Sequence, residues 1–397
     1  MQTDPPLALD VPRPDADAPR AVADAARPPG GAKATVLILG KLPPPTLGPA
    51  VATQILLSSS LAERYRLLHV DTNVHASLDT LGALSLGKVL RNGGIYARFA
   101  RLLLAEKPDL VLVPISQSTV GFVKDSVFIL LSRMLGRRTL VQLRGSNIQN
   151  WLASASAPAR AYVEGVIRRA QGAIVLGDNL RPLFAPYFPD ERIHVVPNGA
   201  DYAIPSVSRT TGPVRVLYLA NLQPSKGIED VIEAVALLKA RGADGFHLDV
   251  VGTWRDDATE ASCLARVAEH DLPVTFHGPA YDDDKLAFMA RADVFVFTPR
   301  EPEGHPWVIV EALAAGLPVV STDQGAIVES VLDGVNGAIV ATGAPAEIAD
   351  RLQRLIEDPA LRARQAEASR RHYEAHFTEE RMVAQLSRAF DRTLQLA

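Results

Sequence analysis

Residues 293–320 read DVFVFTPREPEGHPWVIVEALAAGLPVV, and this stretch decides the fold. The run VFVF at 294–297 reads as a buried strand. A loop heavy in Pro, Glu and Gly follows. Pro306 then opens an apolar helix that Gly316 and Pro318 close, and Leu317 to Ser321 reads as the next strand. Glu311 falls inside that helix among Trp307, Val308, Ile309, Val310, Ala312 and Leu313. A carboxylate there is costly unless something holds it. Glu303 lies in the loop beyond the strand's carboxyl end, where open α/β sheets bind ligands. Two carboxylates and a helix N-terminus therefore converge on a ligand site.

Outward from this stretch the same rhythm repeats in both directions. Strands are expected over 34–40, 67–71, 109–114, 139–145, 172–177 and 193–197. Helices are expected over 49–63, 96–106, 126–135 and 159–169 between them. A second series has strands over 214–220, 247–252, 274–278 and 338–341, with helices over 228–239, 261–270, 285–290 and 345–357. Such alternation implies parallel sheets covered on both faces. Residues 201–213 are polar, carry Gly and Pro without periodicity, and read as a linker between domains 33–200 and 214–378. A closing helix, 379–397, shows Met382, Val383, Leu386, Phe390 and Leu394 on one stripe and so must pack on something.

Composition bounds the function. The chain has 397 residues, 47% hydrophobic and 22% charged, and no apolar run long enough to span a bilayer. The single Cys263 rules out an internal disulfide or a cysteine metal cage and fits a reducing, cytoplasmic setting. Residues 1–32 are Pro-, Ala- and Asp-rich and read as a disordered tail, without the basic-then-apolar order of a signal peptide. The net charge of −4 hides an asymmetry: residues 33–200 hold 19 Lys and Arg against 10 Asp and Glu, residues 201–397 hold 19 against 30. Opposite signs suggest different partners for the two halves, the basic one suiting phosphates or an anionic membrane surface.

Four ordered segments then carry a resemblance. EGHPWVIVE at 303–311, with ALAAGLPVV after it, resembles the Glu-x7-Glu signature of retaining family 4 glycosyltransferases. GAIVESVLDGVNGAIV at 325–340 looks like the strand-turn-strand segment those enzymes carry next. LANLQPSKG at 219–227 and VVPNGAD at 195–201 are similar to their lysine loop and linker. The resemblance implies the GT-B fold: two Rossmann-like doubly wound domains facing across a cleft, the first on the acceptor side and the second binding a nucleotide sugar, with the C-terminal helix returning towards the N-terminal domain. It implies that Glu311 accepts hydrogen bonds from ribose hydroxyls, that Glu303 holds the transferred sugar, and that Lys226, beside Ser225, stabilises the leaving diphosphate. Backbone amides of Gly304, His305, Pro306 and Trp307, at a helix start, would face the donor; Pro306 itself contributes no N–H. Gly48, before Pro49, stands for the family's first-loop glycine pair.

The chain departs from that pattern twice at charged positions. Asn221 stands where the family usually has an arginine, and Arg144, in QLRGSN at 142–147, stands where it has a histidine near the donor sugar. Arginine donates but cannot act as a neutral acceptor. Arg144 is expected either to supply the cation missing at Asn221 or to recognise an anionic sugar or acceptor. The Asp-x-Asp within Asp282–Asp284 sits at a helix start, where carboxylates cap amides, and no histidine pair has metal-ligand spacing. The chemistry is expected to need neither a metal nor a resident cofactor.

The function expected is therefore retaining transfer of a sugar from a nucleoside-diphosphate sugar to an acceptor hydroxyl, in polysaccharide, glycolipid or cell-envelope glycan synthesis. The partners expected are that donor and a glycan or lipid-linked acceptor, with peripheral membrane contact through Arg91, Arg98 and Arg101, at the inner face of the cell membrane, and no nucleic acid. A non-catalytic sugar-nucleotide-binding protein of the same fold is the alternative, and a glycogen-phosphorylase-like enzyme ranks last for want of a lysine context for its cofactor.

Overall fold

A computed structural model describes residues 33–44, 48–73, 86–205 and 212–395. The expected tail, 1–32, and residues 206–211 of the expected linker lie outside the described residues. The first half runs β1 (Thr35–Gly40), α1 (Gly48–Ser58), α2 (Leu61–Arg64), β2 (Arg66–Asp71), α3 (Leu86–Ala105), β3 (Leu110–Ile115), α4 (Thr119–Met134), β4 (Arg138–Leu143), α5 (Ile148–Ser154), α6 (Ala157–Ile167), β5 (Gly172–Val175) and β6 (Ile193–Val195). The second runs β7 (Val214–Leu219), α7 (Ile228–Ala240), β8 (Phe246–Val251), α8 (Asp257–Glu269), β9 (Val274–Phe276), α9 (Asp282–Arg291), β10 (Val294–Phe297), α10 (Trp307–Ala314), β11 (Val319–Thr322), α11 (Ile327–Ser330), β12 (Gly337–Val340), α12 (Pro345–Glu357), α13 (Pro359–His376) and α14 (Glu379–Gln395).

The strands form two parallel sheets, ordered β2-β1-β3-β4-β5-β6 and β12-β11-β10-β7-β8-β9. This doubly wound α/β architecture is the one the resemblance implied. All six residues of β1 are buried, as a strand covered on both faces requires. Alternate side chains feed different cores. Leu37 and Leu39 pack with Phe99, Leu103, Phe122 and Ile129 of α3 and α4. Val36 and Ile38 pack with Leu56, Leu61, Met382, Leu386 and Phe390. The stripe on α14 is therefore spent on the first sheet, which explains why a helix at the end of the chain returns to its beginning.

In each sheet the chain reverses direction across the order once. The second sheet starts at β7, grows through β8 and β9, and then places β10 on the other side of β7. The crevice beyond the carboxyl ends of β7 and β10 is the topological switch point, where this class of sheet accepts ligands. The segments that pass between the sheets are tied together: Tyr373 OH donates to Ala200 O at 2.8 Å and Ala200 N donates to Phe377 O at 3.1 Å. Tyr202 and Ile204, at the start of the expected linker, pack on the second core.

Several local expectations need correction. The helix expected over 49–63 is two, α1 and α2, and α3 begins at Leu86, ahead of the expected Tyr96. Residues 325–340 are not strand-turn-strand: α11 occupies 327–330 and β12 follows. α9 begins at Asp282 with Tyr281 as N-cap and no side-chain cap bond, so the acidic run forms the first turn and its charges face the helix dipole. α5 and α13 are additional. α13 reads PALRARQAEASRRHYEAH, with charges on most faces and no apolar stripe to announce it.

Candidate active site

Lys226 and Glu303 come from the loops after β7 and β10, and the switch point brings them into contact: Lys226 Nζ pairs with Glu303 Oε1. A glycine makes this approach feasible. Gly227 has φ +77°, and a Cβ there would lie 1.9 Å from Thr298 O on the neighbouring loop. Tyr218 OH donates to Lys226 O at 2.9 Å, and Arg300 N donates to Ser225 O at 2.9 Å. Arg300 forks onto the buried Asp230 of α7 through Nε and Nη2, both at 2.7 Å. The loop carrying Ser225 and Lys226 is thus fixed from two sides, and Gln223 Nε2 donates to Ser225 Oγ at 2.9 Å.

Glu311 is 3% exposed. Lys285 Nζ, from α9, donates to its Oε1 at 2.5 Å, while Oε2 is buried and has no partner among the described residues. Half of a buried carboxylate is satisfied and half is not, an arrangement that costs free energy until a donor arrives. Lys285 was not singled out in the sequence. It lies in an acidic run on another helix, and no spacing rule links α9 to α10.

The loop between Glu303 and α10 is held against the first sheet. A Cβ on Gly304 would lie 2.4 Å from Arg144 O, so only glycine fits there. Trp307 Nε1 donates to Gly48 O at 3.2 Å, joining the first turn of α10 to the first residue of α1. Pro306 is the N-cap residue, so the first amides of α10 have no intrahelical partner. The His305 ring is committed inside the protein. Asn198 N donates to Nδ1 at 3.0 Å, and Nε2 meets Ser330 Oγ at 2.6 Å. Accepting at Nδ1 places the ring proton on Nε2. Burial pushes its pKa down to about 3, so the ring is neutral. Of His305, only the backbone remains for a ligand.

Arg144 does not reach Asn221. Its Nε donates to Gln142 Oε1 at 3.1 Å and its Nη1 to Thr53 Oγ1 at 3.2 Å and to Pro49 O, all on the first-sheet side. Nη2 is buried and has no partner among the described residues. Burial lowers its pKa to about 10, which leaves the guanidinium charged at neutral pH. The cation beside Asn221 is Arg255, whose Nε and Nη2 both donate to Asn221 Oδ1 at 3.3 Å. Arg98 and Arg101 are exposed on α3; the side chain of Arg91 lies outside the described residues.

With this geometry in hand, comparison with known proteins is informative. Residues 203–372 match the family model described as "Glycosyl transferases group 1". A glycogen synthase of Mycobacterium tuberculosis is 30% identical over 237 residues, 57% of this chain and 56% of that protein. A D-inositol 3-phosphate glycosyltransferase of Arthrobacter sp. is 28% identical over 230 residues, 54% of each. The chain thus spans about half the length of the curated relatives it matches. Among solved structures, Anabaena Alr3699/HepE in complex with UDP superposes with a TM-score of 0.71 at 19% identity, covering 90% of this chain and 99% of that one. A glycosyltransferase from Rickettsia africae gives 0.71 at 16% identity, covering 92% and 100%. The fold is GT-B, two Rossmann-like units in one chain.

Proposed function

We propose that this chain is a retaining glycosyltransferase that moves a sugar from a nucleoside-diphosphate sugar to an acceptor hydroxyl. The observation that carries the reading is Glu311 Oε2, a buried carboxylate oxygen of α10 with no partner among the described residues. A ribose supplies two adjacent hydroxyl donors, the chemistry such an oxygen lacks. The diphosphate then lies towards Lys226, and Glu303 and the first amides of α10 receive the transferred sugar. The relatives support the class, and a solved structure of the same fold was obtained with UDP-glucose.

The roles follow from charge. As the glycosidic bond breaks, negative charge grows on the leaving phosphate, and Lys226 stabilises it. Glu303 releases Lys226 when the donor enters and turns to the sugar hydroxyls. The acceptor hydroxyl attacks from the face the phosphate leaves, which retains configuration. Positioning and electrostatics supply the acceleration, without a resident cofactor or metal. The segments around 198–205 and 377–379 form the hinge about which the cleft closes and excludes water.

On the acceptor side, the exposed Leu104, Val120 and Val123 share α3 and α4 with the exposed Arg98 and Arg101. Such a mixture suits a lipid-linked or envelope glycan acceptor at the inner face of a membrane. No helix among the described residues is long and apolar enough to cross one.

A second reading, a sugar-nucleotide-binding protein without turnover, is favoured by Arg144, which stands where the resembling enzymes have a histidine and whose Nη1 is held by Pro49 O and Thr53 Oγ1 of α1. Donor hydrolysis and transfer measured for the wild-type chain beside Glu303→Ala separate the two. Turnover that disappears in the variant supports the enzyme. Donor binding without turnover in the wild type supports the binder, and absence of donor binding rejects both.

A further inference from the structure

We propose that Arg255 is a diphosphate-binding residue that works alongside Lys226, an inference that rests on the donor site proposed above. The cations around the second sheet's crevice are otherwise spoken for. Lys226 pairs with Glu303, Lys285 with Glu311, and Arg300 with Asp230 and Glu229. Arg255 differs: it meets no carboxylate among the described residues. Its one contact is a shared, long one of 3.3 Å from two nitrogens to the neutral Asn221 Oδ1. A guanidinium is built for paired short bonds to an anion, and a single amide oxygen leaves most of that capacity unused.

The backbone fixes where this capacity is aimed. Leu222 N donates to Thr253 O at 2.9 Å and Arg255 N donates to Leu222 O at 3.0 Å. The loop after β8 is thereby stitched to the loop after β7, the same loop that carries Ser225 and Lys226. Trp254 packs on Phe276 at 5.5 Å. Asp256 then caps α8, accepting from Thr259 N at 2.9 Å. Arg255 thus sits between two anchored neighbours, with an exposed head at the lip of the crevice. Asn221 serves as its resting place when no donor is bound.

In the reaction the bond between the anomeric carbon and the β-phosphate oxygen breaks, and its electron pair leaves on that oxygen. The acceptor oxygen forms the new bond to the anomeric carbon and its proton passes to the departing phosphate. Arg255 exchanges the Asn221 oxygen for a phosphate oxygen and, with Lys226, carries the charge that accumulates there. The amide at position 221 and the arginine at 255 are two parts of one device.

The test is calorimetric binding of UDP, GDP, ADP and dTDP to the full chain, followed by the tightest of these, UDP in the first instance, beside its monophosphate. Arg255→Ala is expected to weaken the diphosphate by roughly 10- to 100-fold and the monophosphate far less, so that their ratio collapses. Arg255→Lys should restore part of the loss. Asn221→Ala breaks the same contact from the other side and should tighten the diphosphate, because it frees the arginine. Were the contact merely structural, Asn221→Ala and Arg255→Ala would weaken binding alike, which would overturn the assignment. An unchanged ratio in Arg255→Ala would overturn it too, while leaving the donor site intact. A wild-type chain that binds none of the four diphosphates would end both this inference and the reading it rests on.

Discussion

Lys285 of α9 donates to one carboxylate oxygen of Glu311 at 2.5 Å, and the other oxygen of the same group is buried with no partner among the described residues. The pair therefore has a structural half and a vacant half. Removing Lys285 strands a carboxylate in a nearly closed site, and breaking such a pair costs about 3 kcal/mol or somewhat more. Glu311→Gln removes the charge instead and should be milder. Urea unfolding of Lys285→Ala, Glu311→Gln and the double variant measures both the singles and their coupling. A Lys285→Ala chain as stable as wild type would refute the structural half.

Lys226 and Glu303 face each other across the β7 and β10 loops. If the donor separates them, each acts on a different part of it. Lys226→Ala should lower kcat/KM by roughly 10²–10³-fold, as for removal of a group that stabilises developing charge. Glu303→Ala should lower kcat more than it raises the donor KM, since its contact is to the reacting sugar. Steady-state kinetics with varied donor decides, and two variants whose kcat equals that of wild type would refute these roles.

The sheets were legible because their strands are continuous apolar runs bounded by Gly and Pro; Glu303 and Lys226 stood out because they follow strand ends, and Glu311 because it is a carboxylate inside an apolar helix. What could not be read was the partner of each. Asn221 and Arg255 meet because β7 and β8 are parallel neighbours, a pairing between residues 34 apart that no local pattern encodes. Arg144 looked like a free cation because its acceptors, Pro49 O and Thr53 Oγ1, come from the helix after β1. α13 stayed hidden because it buries polar side chains: Gln365 and Ser369 are buried in it, and Ser369 Oγ donates to Leu317 O at 2.7 Å.

His305 gives a pH prediction. Burial lowers its pKa from the ordinary 6.5 to about 3, so the unfolded chain binds a proton that the folded chain refuses. Its stabilisation is fully present above pH 6.5 and is lost as pH falls towards 3. Between pH 6.5 and 5 the loss is about 2 kcal/mol. Unfolding free energy of His305→Asn should therefore fall less steeply over that interval than that of wild type. Parallel slopes for the two chains would show that the ring is not held neutral.

The return of α14 to the first sheet makes the end of the chain part of the core around its beginning. Phe390 is fully buried and meets Tyr65 edge-on at 5.5 Å between ring centroids, beside Val36, Ile38 and Leu386. Truncating a buried phenylalanine costs about 3–5 kcal/mol, so Phe390→Ala should lower the denaturant midpoint sharply. The proposed donor site, in contrast, is carried by the loops after β7 and β10 of the second sheet. If the chain binds a nucleoside diphosphate as proposed, its affinity in the folded Phe390→Ala fraction, measured well below its melting temperature, should stay within about 2-fold of wild type, because sites without shared partners behave additively. A loss of under about 1 kcal/mol would mean that α14 is loosely docked. A large loss of affinity in the folded variant would instead mean that α14 sets the position of one sheet against the other, and that the cleft is held in register from the far face of the first sheet.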